Sequence, residues 1–375
     1  MKFVECSIAD TLDFYNGKAV KLDEAGEIDV FGSNGKIGFS KEFNHENAII
    51  LGRVGAYCGS VMLSTEKFWA TDNTIVLKTK GLQSLRYWFY RLGHFPIRSF
   101  AGGAAQPLMT HGILRGINIK VHADTVVQEE IAEILSTYDD LIENNRRRMA
   151  LLEESARLLY REWFVRLRFP GYEHTPIVDG VPQGWDTGTV SDFYETSSGG
   201  TPSRTINEYF TGDIPWVKTK ELSNGFITET DEHITDKALK NSSAKLFPNR
   251  TVLIALYGAT VGELGITALP AATNQACCAV LNKDPRGHYT HAYLFFRESK
   301  EVLVGLSAGA AQKNISQQIV RGVSMQMPTN TLMSMFIDIV SPMFEQMLSL
   351  QLTNQKLRTA RDLLLPRLMS GELAV

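Results

Sequence analysis

An internal duplication constrains the fold of this chain more than any other feature of its sequence. Residues 101–106 read Ala-Gly-Gly-Ala-Ala-Gln and residues 307–312 read Ser-Ala-Gly-Ala-Ala-Gln, so Gln106 and Gln312 lie 206 residues apart. Other short segments match in the same order along the chain: 13–15 with 192–194, 55–59 with 258–262, 71–73 with 273–275, 115–117 with 321–323, and 158–161 with 364–367. Such an ordered series indicates a duplicated unit whose copies differ by insertions near their starts.

The first part of each duplicated unit has the pattern of a mixed globule. Short segments rich in β-branched and apolar residues, bounded by turn residues, are predicted to be strands: 47–54, 73–78, 251–257 and 276–281. Residues 82–92 and 291–306 are predicted to be short helices. The sequence therefore predicts two similar α+β globules of roughly 120–140 residues each.

The second part of each unit is predicted to be a long helix, because apolar residues recur every three or four positions. In the first helix these positions are Val127, Ile131, Ile134, Tyr138, Leu141, Asn145, Met149, Leu152, Ala156, Leu159 and Trp163; in the second they are Leu332, Phe336, Ile339, Met343, Met347, Leu350, Asn354, Leu357, Ala360, Leu364 and Leu368. Pro342 is expected to kink the second helix or delay its start. Asn145 and Asn354 either fix the register of the two helices or face water.

The length of the chain fits two domains better than one. We expect a first globule at residues 1–122, a helix at 123–167, a linker rich in proline and glycine at 168–185, a second globule at 186–328 and a second helix at 329–375. A helix of about 36 residues spans roughly 54 Å, and one turn of DNA advances about 34–36 Å. Two globules held apart by such helices could each meet a major groove.

Composition indicates an ordinary globular protein of the cytoplasm. The net charge is −3, with 44% hydrophobic and 21% charged residues, so any binding of nucleic acid must come from local patches. The first residues contain no apolar segment typical of a secretory signal, and no apolar stretch is long enough to span a membrane. The four cysteines form no Cys-x-x-Cys pair, so neither a zinc site nor a disulfide framework is predicted.

Five features of the sequence are specific enough to suggest a family. They are Glu-Ser-Ala-Arg-Leu-Leu-Tyr-Arg-Glu-Trp-Phe at 154–164, Pro-Gln-Gly-Trp at 182–185, Gly-Gly-Thr-Pro-Ser at 199–203, the paired Gly-Ala-Ala-Gln stretches, and Asp-Leu-Leu-Leu-Pro-Arg-Leu-Met-Ser-Gly-Glu-Leu at 362–373. In these features the chain resembles the specificity subunit of type I restriction-modification systems, and the resemblance covers nearly the whole chain. One departure is that the first unit lacks a Pro-x-Gly-Trp segment at its start.

The resemblance implies an α+β fold with two target-recognition domains in tandem, each followed by a long helix, and the two helices packing as an antiparallel coiled coil. Each domain is expected to read one half of a split double-stranded DNA site. Two modification subunits are expected to dock on the helices, to bind S-adenosylmethionine and to methylate adenine. Restriction subunits can join them to cleave DNA. No cofactor is expected in this chain itself.

The sequence lacks the motifs of a self-sufficient enzyme. An adenine methyltransferase would carry Asn/Asp-Pro-Pro-aromatic, and a nucleotide-driven translocase would carry GxxxxGK[ST]; neither is present. His288 and His291 lie three residues apart without a cluster of further ligands, so a metal site is not expected there. Cys277 and Cys278 are expected to pack in the core. The chain is therefore predicted to be non-catalytic.

Basic, hydroxyl and aromatic side chains in loops are the candidates for contact with DNA phosphates and base edges. They are Lys36, Arg53 and Tyr57 in the first unit, and Thr201, Ser203, Arg204, Lys218 and Lys220 in the second. The alternative for each is a solvated surface residue or, for the tyrosine, a packing residue. Gln106 and Gln312 recur in both units, which favours scaffold or a common backbone contact. Residues 146–148, three arginines, are either the charged outer face of a helix or a contact to the DNA backbone.

Two other functions are compatible with the same pattern. A helical scaffold or adaptor that binds only proteins would also carry long paired helices. An enzyme with an unfamiliar site would be revealed by activity of the isolated chain. The DNA sequence recognised does not follow from these residues.

Overall fold

The computed structural model describes residues 2–103, 106–306 and 314–375. The chain divides into two compact units, one formed by Met1–Glu143 with Gln355–Val375 and the other by Asn144–Asn354. Two predictions concern residues outside the described parts: the middle of the first Gly-Ala-Ala-Gln stretch at 104–105, and the whole second stretch with Gln312. The five predicted segment boundaries remain a prediction.

The first unit is built on a six-stranded sheet. Its strands are, in spatial order, Leu12–Asn16, Thr74–Thr79, His45–Gly52, Val61–Ala70, Ile28–Gly32 and Gly35–Ser40. All neighbours are antiparallel except Ile28–Gly32 and Val61–Ala70, which run parallel. Strands Phe3–Ser7 and Asn118–His122 form a separate antiparallel pair. The short helices are Ile8–Thr11, Leu85–His94 and His111–Arg115.

The described part of the second unit contains two larger sheets and two strand pairs. One sheet has the order Tyr194–Ser198, Cys277–Asn282, Val252–Ala255, Leu264–Thr267, Gly225–Ile227; the other has the order His233–Ile234, Ile214–Val217, Ala271–Thr273, Leu246–Phe247. The two-stranded sheets pair Ile177–Val178 with Val181–Pro182 and Asp186–Thr189 with Ser324–Met327, and the short helices are Val190–Phe193, Asp236–Lys240, Tyr289–Glu298, Lys300–Gly305 and Gln317–Gly322. The helix predicted at 291–306 is therefore two helices, which meet at Ser299.

One inner strand of each unit is buried on both faces. Residues 48–51 contribute alternately to two apolar clusters, and residues 252–255 do the same in the second unit. Because successive side chains of a strand point to opposite faces, a continuous apolar run suits a strand that is covered on both sides. Cys277 and Cys278 follow the same alternation and are fully buried, which confirms their predicted core packing.

The two long helices are Thr125–Tyr160 and Asn330–Ser370, and the predicted α+β class with tandem domains and long helices is confirmed. Within the first unit Asp139 of the first helix pairs with Arg361 of the second. Within the second unit Tyr160 contacts Phe336, with 6.2 Å between ring centroids. These pairings give the helices antiparallel polarity. Pro342 does not delay the second helix, which begins at Asn330.

The apolar seam differs from the predicted one at three positions. Ile134, Leu141 and Ile339 are exposed, whereas the residue that follows each of them, Leu135, Ile142 or Val340, is buried. A helix has 3.6 residues per turn, so a pattern of steps of three or four cannot choose between two adjacent apolar residues. Packing against the globule determines which of the two adjacent residues is buried.

Asn145 and Asn354 form a buried hydrogen bond within the second unit. The Asn145 Nδ2 donates to the Asn354 Oδ1 at 2.8 Å, and both residues are almost fully buried. The alternative that these residues face water is therefore wrong. A buried amide pair penalises any shift of one helix along the other, because a shift would leave polar groups facing apolar ones.

Each unit buries a tyrosine against a histidine. In the first unit the Tyr87 hydroxyl lies 2.9 Å from His122 Nδ1, and in the second the Tyr194 hydroxyl lies 3.0 Å from His291 Nδ1. Burial, with a smaller contribution from the charge of His288, lowers the pKa of His291 to about 3. Burial also lowers the pKa of His122. Both histidines are therefore neutral in the folded protein at neutral pH.

None of the helices in the described part of the chain is long and apolar enough to cross a membrane.

Candidate nucleic-acid interface

Both units hold the same loop between two antiparallel strands, which we call the glycine loop: residues 52–60 in the first unit and 255–263 in the second. In the first loop backbone amides donate from Gly52 to Ser60 (2.8 Å), Gly59 to Gly52 (2.8 Å), Cys58 to Gly55 (3.0 Å) and Ser60 to Tyr57 (3.1 Å). In the second they donate from Ala255 to Glu263 (2.9 Å), Gly262 to Ala255 (2.9 Å), Val261 to Gly258 (3.3 Å) and Glu263 to Thr260 (2.8 Å). Every bond recurs at an offset of 203 residues, so the two backbones are held alike.

Neighbouring segments brace both glycine loops in corresponding ways. The Arg53 amide donates to Asn73 O at 2.9 Å, and the Met109 amide donates to Arg53 O at 2.8 Å. The equivalent bonds in the second unit run from Leu256 to Ala276 at 2.8 Å and from Ile315 to Leu256 at 2.9 Å. Isolated bridges between Val54 and Leu108 and between Tyr257 and Asn314 complete the match. The repeated glycine motif of the sequence is therefore a braced, rigid loop.

The glycines are required by the backbone. Gly55 and Gly258 have φ values of +71° and +80°, and an added Cβ at either would meet no atom within 4 Å. Residues other than glycine rarely adopt that left-handed backbone conformation. Glycine is therefore needed at both positions for its backbone conformation, and not because space is short. The motif conserves a backbone shape between the two units and leaves the side chains between the glycines free to differ.

The exposed side chains on the two glycine loops do differ. Tyr57 is 59% exposed in the first loop, where the second has Thr260. In the second loop Tyr257 is 42% exposed, where the first has the half-buried Val54. Both loops thus present a tyrosine to solvent, but from non-equivalent positions.

Arginines surround the first glycine loop. Arg53 belongs to the loop, and an added Cβ on Gly59 would lie 3.0 Å from the Cα of Arg98. Burial lowers the pKa of His111, and the positive charges of Arg115 and Arg53 lower it further. Arg98 and Arg115 are exposed. Within the part of the chain that the structure describes, no side-chain hydrogen bond or ion pair engages these three arginines.

The second glycine loop has a different electrostatic environment. Leu256 stands where the first loop has Arg53, and Lys300, which packs against Gly262, forms an ion pair with Glu263 at 2.7 Å. Arg321, the counterpart of Arg115, donates from its Nε to the Thr196 hydroxyl at 2.7 Å. Positive charge that is unpaired in the first unit is therefore absent or engaged in the second.

The predicted contact residues of the first unit lie together. The hairpin turn before Lys36 touches the glycine loop, because the Ser60 hydroxyl donates to Ser33 O at 2.6 Å. Lys36 itself pairs with Asp29 at 2.7 Å and lies over the Phe39 ring. Arg53 and Tyr57 are part of the loop.

Three of the predicted residues of the second unit form a cluster around carboxylates. Glu232 accepts from Arg204 and from Lys218, each at 2.6 Å, and these hydrogen bonds, Arg204 first, hold the pKa of Glu232 below its usual value. Arg204 also lies over the Phe210 and Trp216 rings. Lys220 pairs with Asp231, which raises the pKa of Lys220.

The remaining two predicted residues make local hydrogen bonds. The Thr201 hydroxyl donates to Gln275, and the hydroxyls of Ser203 and Thr205 lie 2.8 Å apart. Gln106 and residues 146–148 are exposed. No group of three or more metal-ligating side chains occurs among the residues described.

Sequence analysis missed Arg98, Tyr257 and the carboxylates that engage the second unit's cations. Residues 95–100 read Phe-Pro-Ile-Arg-Ser-Phe immediately before the first Gly-Gly pair, and a basic residue between aromatic ones is a signal that could have been used. The proximity of Arg98 to Gly59 and of Glu232 to Arg204 depends on tertiary folding.

Comparison with known proteins assigns the family. The model of the "Type I restriction modification DNA specificity domain" matches residues 3–154 and again 182–331. The MjaIX type I restriction enzyme specificity subunit of Methanocaldococcus jannaschii is 27% identical over 74% of this chain, but the match covers 66% of that protein, just under two thirds. The HindI specificity subunit of Haemophilus influenzae is 23% identical over 99% of this chain and 92% of that protein.

A solved structure has the same fold. The S subunit of a type I restriction-modification system from M. genitalium superposes with a TM-score of 0.65 at 16% identity, covering 98% of this chain and 96% of that one. The two family matches together span well over half of the sequence. The chain belongs to the type I restriction modification DNA specificity domain family, with two copies of the domain. Its function is that of a specificity subunit, the recognition of a DNA target.

Proposed function

We propose that this chain reads a split double-stranded DNA target for a type I restriction-modification complex, and that each unit reads one half of it. The observation that carries the proposal is the pair of glycine loops. The same backbone hydrogen bonds hold both loops, yet the exposed side chains and the surrounding charges differ. A common scaffold with different side chains suits two readers of two different sequences.

The eight predicted contact residues belong to this proposal. In the first unit Arg53 and Tyr57 lie in the glycine loop, and the turn before Lys36 contacts that loop. We propose that all three residues contact a single stretch of DNA. In the second unit Arg204, Lys218 and Lys220 are ion-paired and must exchange carboxylates for phosphate oxygens or base edges. An exposed ion pair such as that of Lys220 with Asp231 contributes only about 0–1 kcal/mol, so its exchange costs little. Thr201 and Ser203 lie in the same segment and supply hydroxyls.

We further propose that two modification subunits dock on the long helices. Apolar side chains are exposed along both helices: Val126, Leu141, Leu151, Met335, Ile339 and Leu363. Exposed apolar side chains on a helix can be part of a surface that another protein covers. The partner subunits would bind S-adenosylmethionine and methylate adenine, and restriction subunits can join the complex. This chain would contribute recognition and no catalytic group.

Coexpression with the modification subunit tests the proposal. The purified complex should contain one copy of this chain and two of its partner, and it should methylate a split motif found by sequencing treated random DNA. The chain alone should transfer no methyl groups. Methyl transfer by the isolated chain would contradict the non-catalytic role, and a complex without any sequence preference would favour a scaffold that binds only proteins.

We also propose that the helices set the gap between the two half-sites. Four residues inserted between Ile142 and Met149 lengthen the first helix by about 6 Å, and DNA advances about 3.4 Å per base pair. The preferred gap should therefore grow by about one or two base pairs, with unchanged half-sites. Methylation of a library with randomised gaps measures this, and an active variant that keeps the original gap would contradict it.

A further inference from the structure

The first glycine loop combines rigidity, an exposed aromatic ring and unpaired arginines. Its backbone is closed by hydrogen bonds at both ends and braced by Asn73 and Met109. A braced loop loses little conformational entropy when its side chains bind a partner. Tyrosine adds a large amphipathic surface with only two side-chain torsions. The backbone that carries Tyr57 is therefore held in place before any ligand arrives.

Arg98 lies beside this loop and has no carboxylate partner among the residues that the structure describes. Its backbone packs against Gly59, which fixes where the exposed side chain starts. Arg86 of the same unit, by contrast, is ion-paired with Asp140 at 3.1 Å. A free guanidinium beside a rigid aromatic residue can present its donors to the paired acceptors of guanine in the major groove.

We infer that the two glycine loops are corresponding base-reading elements, with Tyr57 and Arg98 determining specificity in the first unit and Tyr257 in the second. This inference rests on the proposed function and deepens it. The loops share their backbone and differ in their exposed side chains, which is what readers of two different half-sites need. Neither Arg98 nor Tyr257 was identified by the sequence pattern.

The test uses the whole complex with its modification subunits. Arg98→Ala, Tyr57→Ala and Tyr257→Ala are each compared with the wild type by sequencing the sites methylated in random DNA and by measuring DNA affinity. Arg98→Ala and Tyr57→Ala should relax individual positions of one half-site, with about a ten- to hundredfold loss of discrimination at those positions. Tyr257→Ala should relax the other half-site only.

Matched control variants of the first unit distinguish a loss of base recognition from a general loss of DNA binding. Arg86→Ala removes an exposed arginine that is already ion-paired, and Tyr15→Ala removes a tyrosine of similar exposure on another part of the sheet. Both should leave the motif unchanged. Arg98→Lys keeps the charge but loses the planar pair of donors, so it should retain affinity and lose discrimination.

Two outcomes would overturn the inference. One is an equal loss of affinity for all sequences with a shallower salt dependence, which would make Arg98 a phosphate contact. The other is an unchanged motif in all three alanine variants. The proposed function would survive either outcome as long as the wild-type complex methylates a split motif; if the wild type shows no such motif, the proposed function itself fails.

Discussion

The two units hold their glycine loops in the same backbone conformation but place them in different electrostatic surroundings. In the described part of the first unit, no side-chain hydrogen bond or ion pair engages Arg53 or Arg98 at the loop, whereas the second unit has Leu256 and the Lys300–Glu263 ion pair there. The second unit carries positive charge at Arg204, Lys218 and Lys220, which are paired with Glu232 or Asp231. The two copies have thus kept the same loop backbone, whereas their positively charged residues lie at different positions.

This difference indicates which parts of the loops form the common scaffold and which parts can determine specificity. Hydrogen bonds between backbone groups recur because they make the scaffold, and glycines with positive φ recur because no other residue adopts that conformation readily. Side chains on the scaffold are free to change, since they contribute little to its stability when exposed. Specificity can therefore diverge between units without loss of the fold.

The largest expected effect is the response of the second unit to acid. His291 has a pKa of about 3 in the folded protein because it is buried, and about 6.5 when unfolded. As pH falls, the histidine becomes protonated in the unfolded state at a higher pH than in the folded state. The free energy of unfolding therefore decreases below the unfolded pKa, by about 1.4 kcal/mol per pH unit. Between about pH 6.5 and pH 5 the second unit should lose about 2 kcal/mol.

Urea unfolding followed by pulse-labelled hydrogen exchange measures this loss for each unit separately. The variant His291→Gln can still accept from Tyr194 but does not titrate, so its second unit should show a shallower dependence on pH. The first unit, whose His122 also has a lowered pKa, changes in the same direction and serves as the internal reference. Equal slopes for the wild type and His291→Gln would contradict this account of the buried pair.

The next prediction concerns the shared backbone. Gly55→Ala and Gly258→Ala each force a side chain into the left-handed region, at a cost of about 1–2 kcal/mol. The two costs should agree, because both sites are sterically open and have similar φ values. Gly93→Ala, a helical glycine with open surroundings, is the control and should be neutral or stabilising. Thermal unfolding of the three variants decides whether the loops are equivalent.

A smaller effect distinguishes how the helices are paired in each unit. A double-mutant cycle of Asn145→Leu and Asn354→Leu should give a coupling of about 1 kcal/mol that is insensitive to salt. A cycle of Asp139→Asn and Arg361→Gln should give a smaller coupling that weakens as salt is added, because that pair is partly exposed. Urea unfolding at low and high salt measures both. The same salt dependence for both pairs would remove the distinction.

Much of the fold could be predicted because its signals are local. Apolar runs identified the inner strands, and periodicity identified both long helices. The repeated glycines located the shared loop. Adjacent apolar residues such as Ile134 and Leu135 could not be ranked, because the choice between them depends on what packs against the helix. The strands of the 200–250 region have only two to four residues, too few for a periodic pattern.

The candidate site could be predicted only in part. Lys36, Arg53 and Tyr57 were proposed separately, and the structure brings them together around one loop. Arg204 and Lys218 were chosen as basic residues in loops, and the structure shows both ion-paired to Glu232. Pairing of this kind depends on which carboxylate the fold brings near, and no local pattern encodes it. Whether any of the eight residues contacts DNA remains a prediction.

Exchange of one unit's globule tests the central claim, that a single chain contains two independent readers. Residues 1–122 would be replaced by the corresponding segment of a relative with a different target, and the methylated motif of the reconstituted complex would be sequenced. One half of the motif should change to that of the donor while the other half stays the same. The reciprocal exchange of residues 186–328 should change only the other half. A change in both halves from either exchange would contradict the claim.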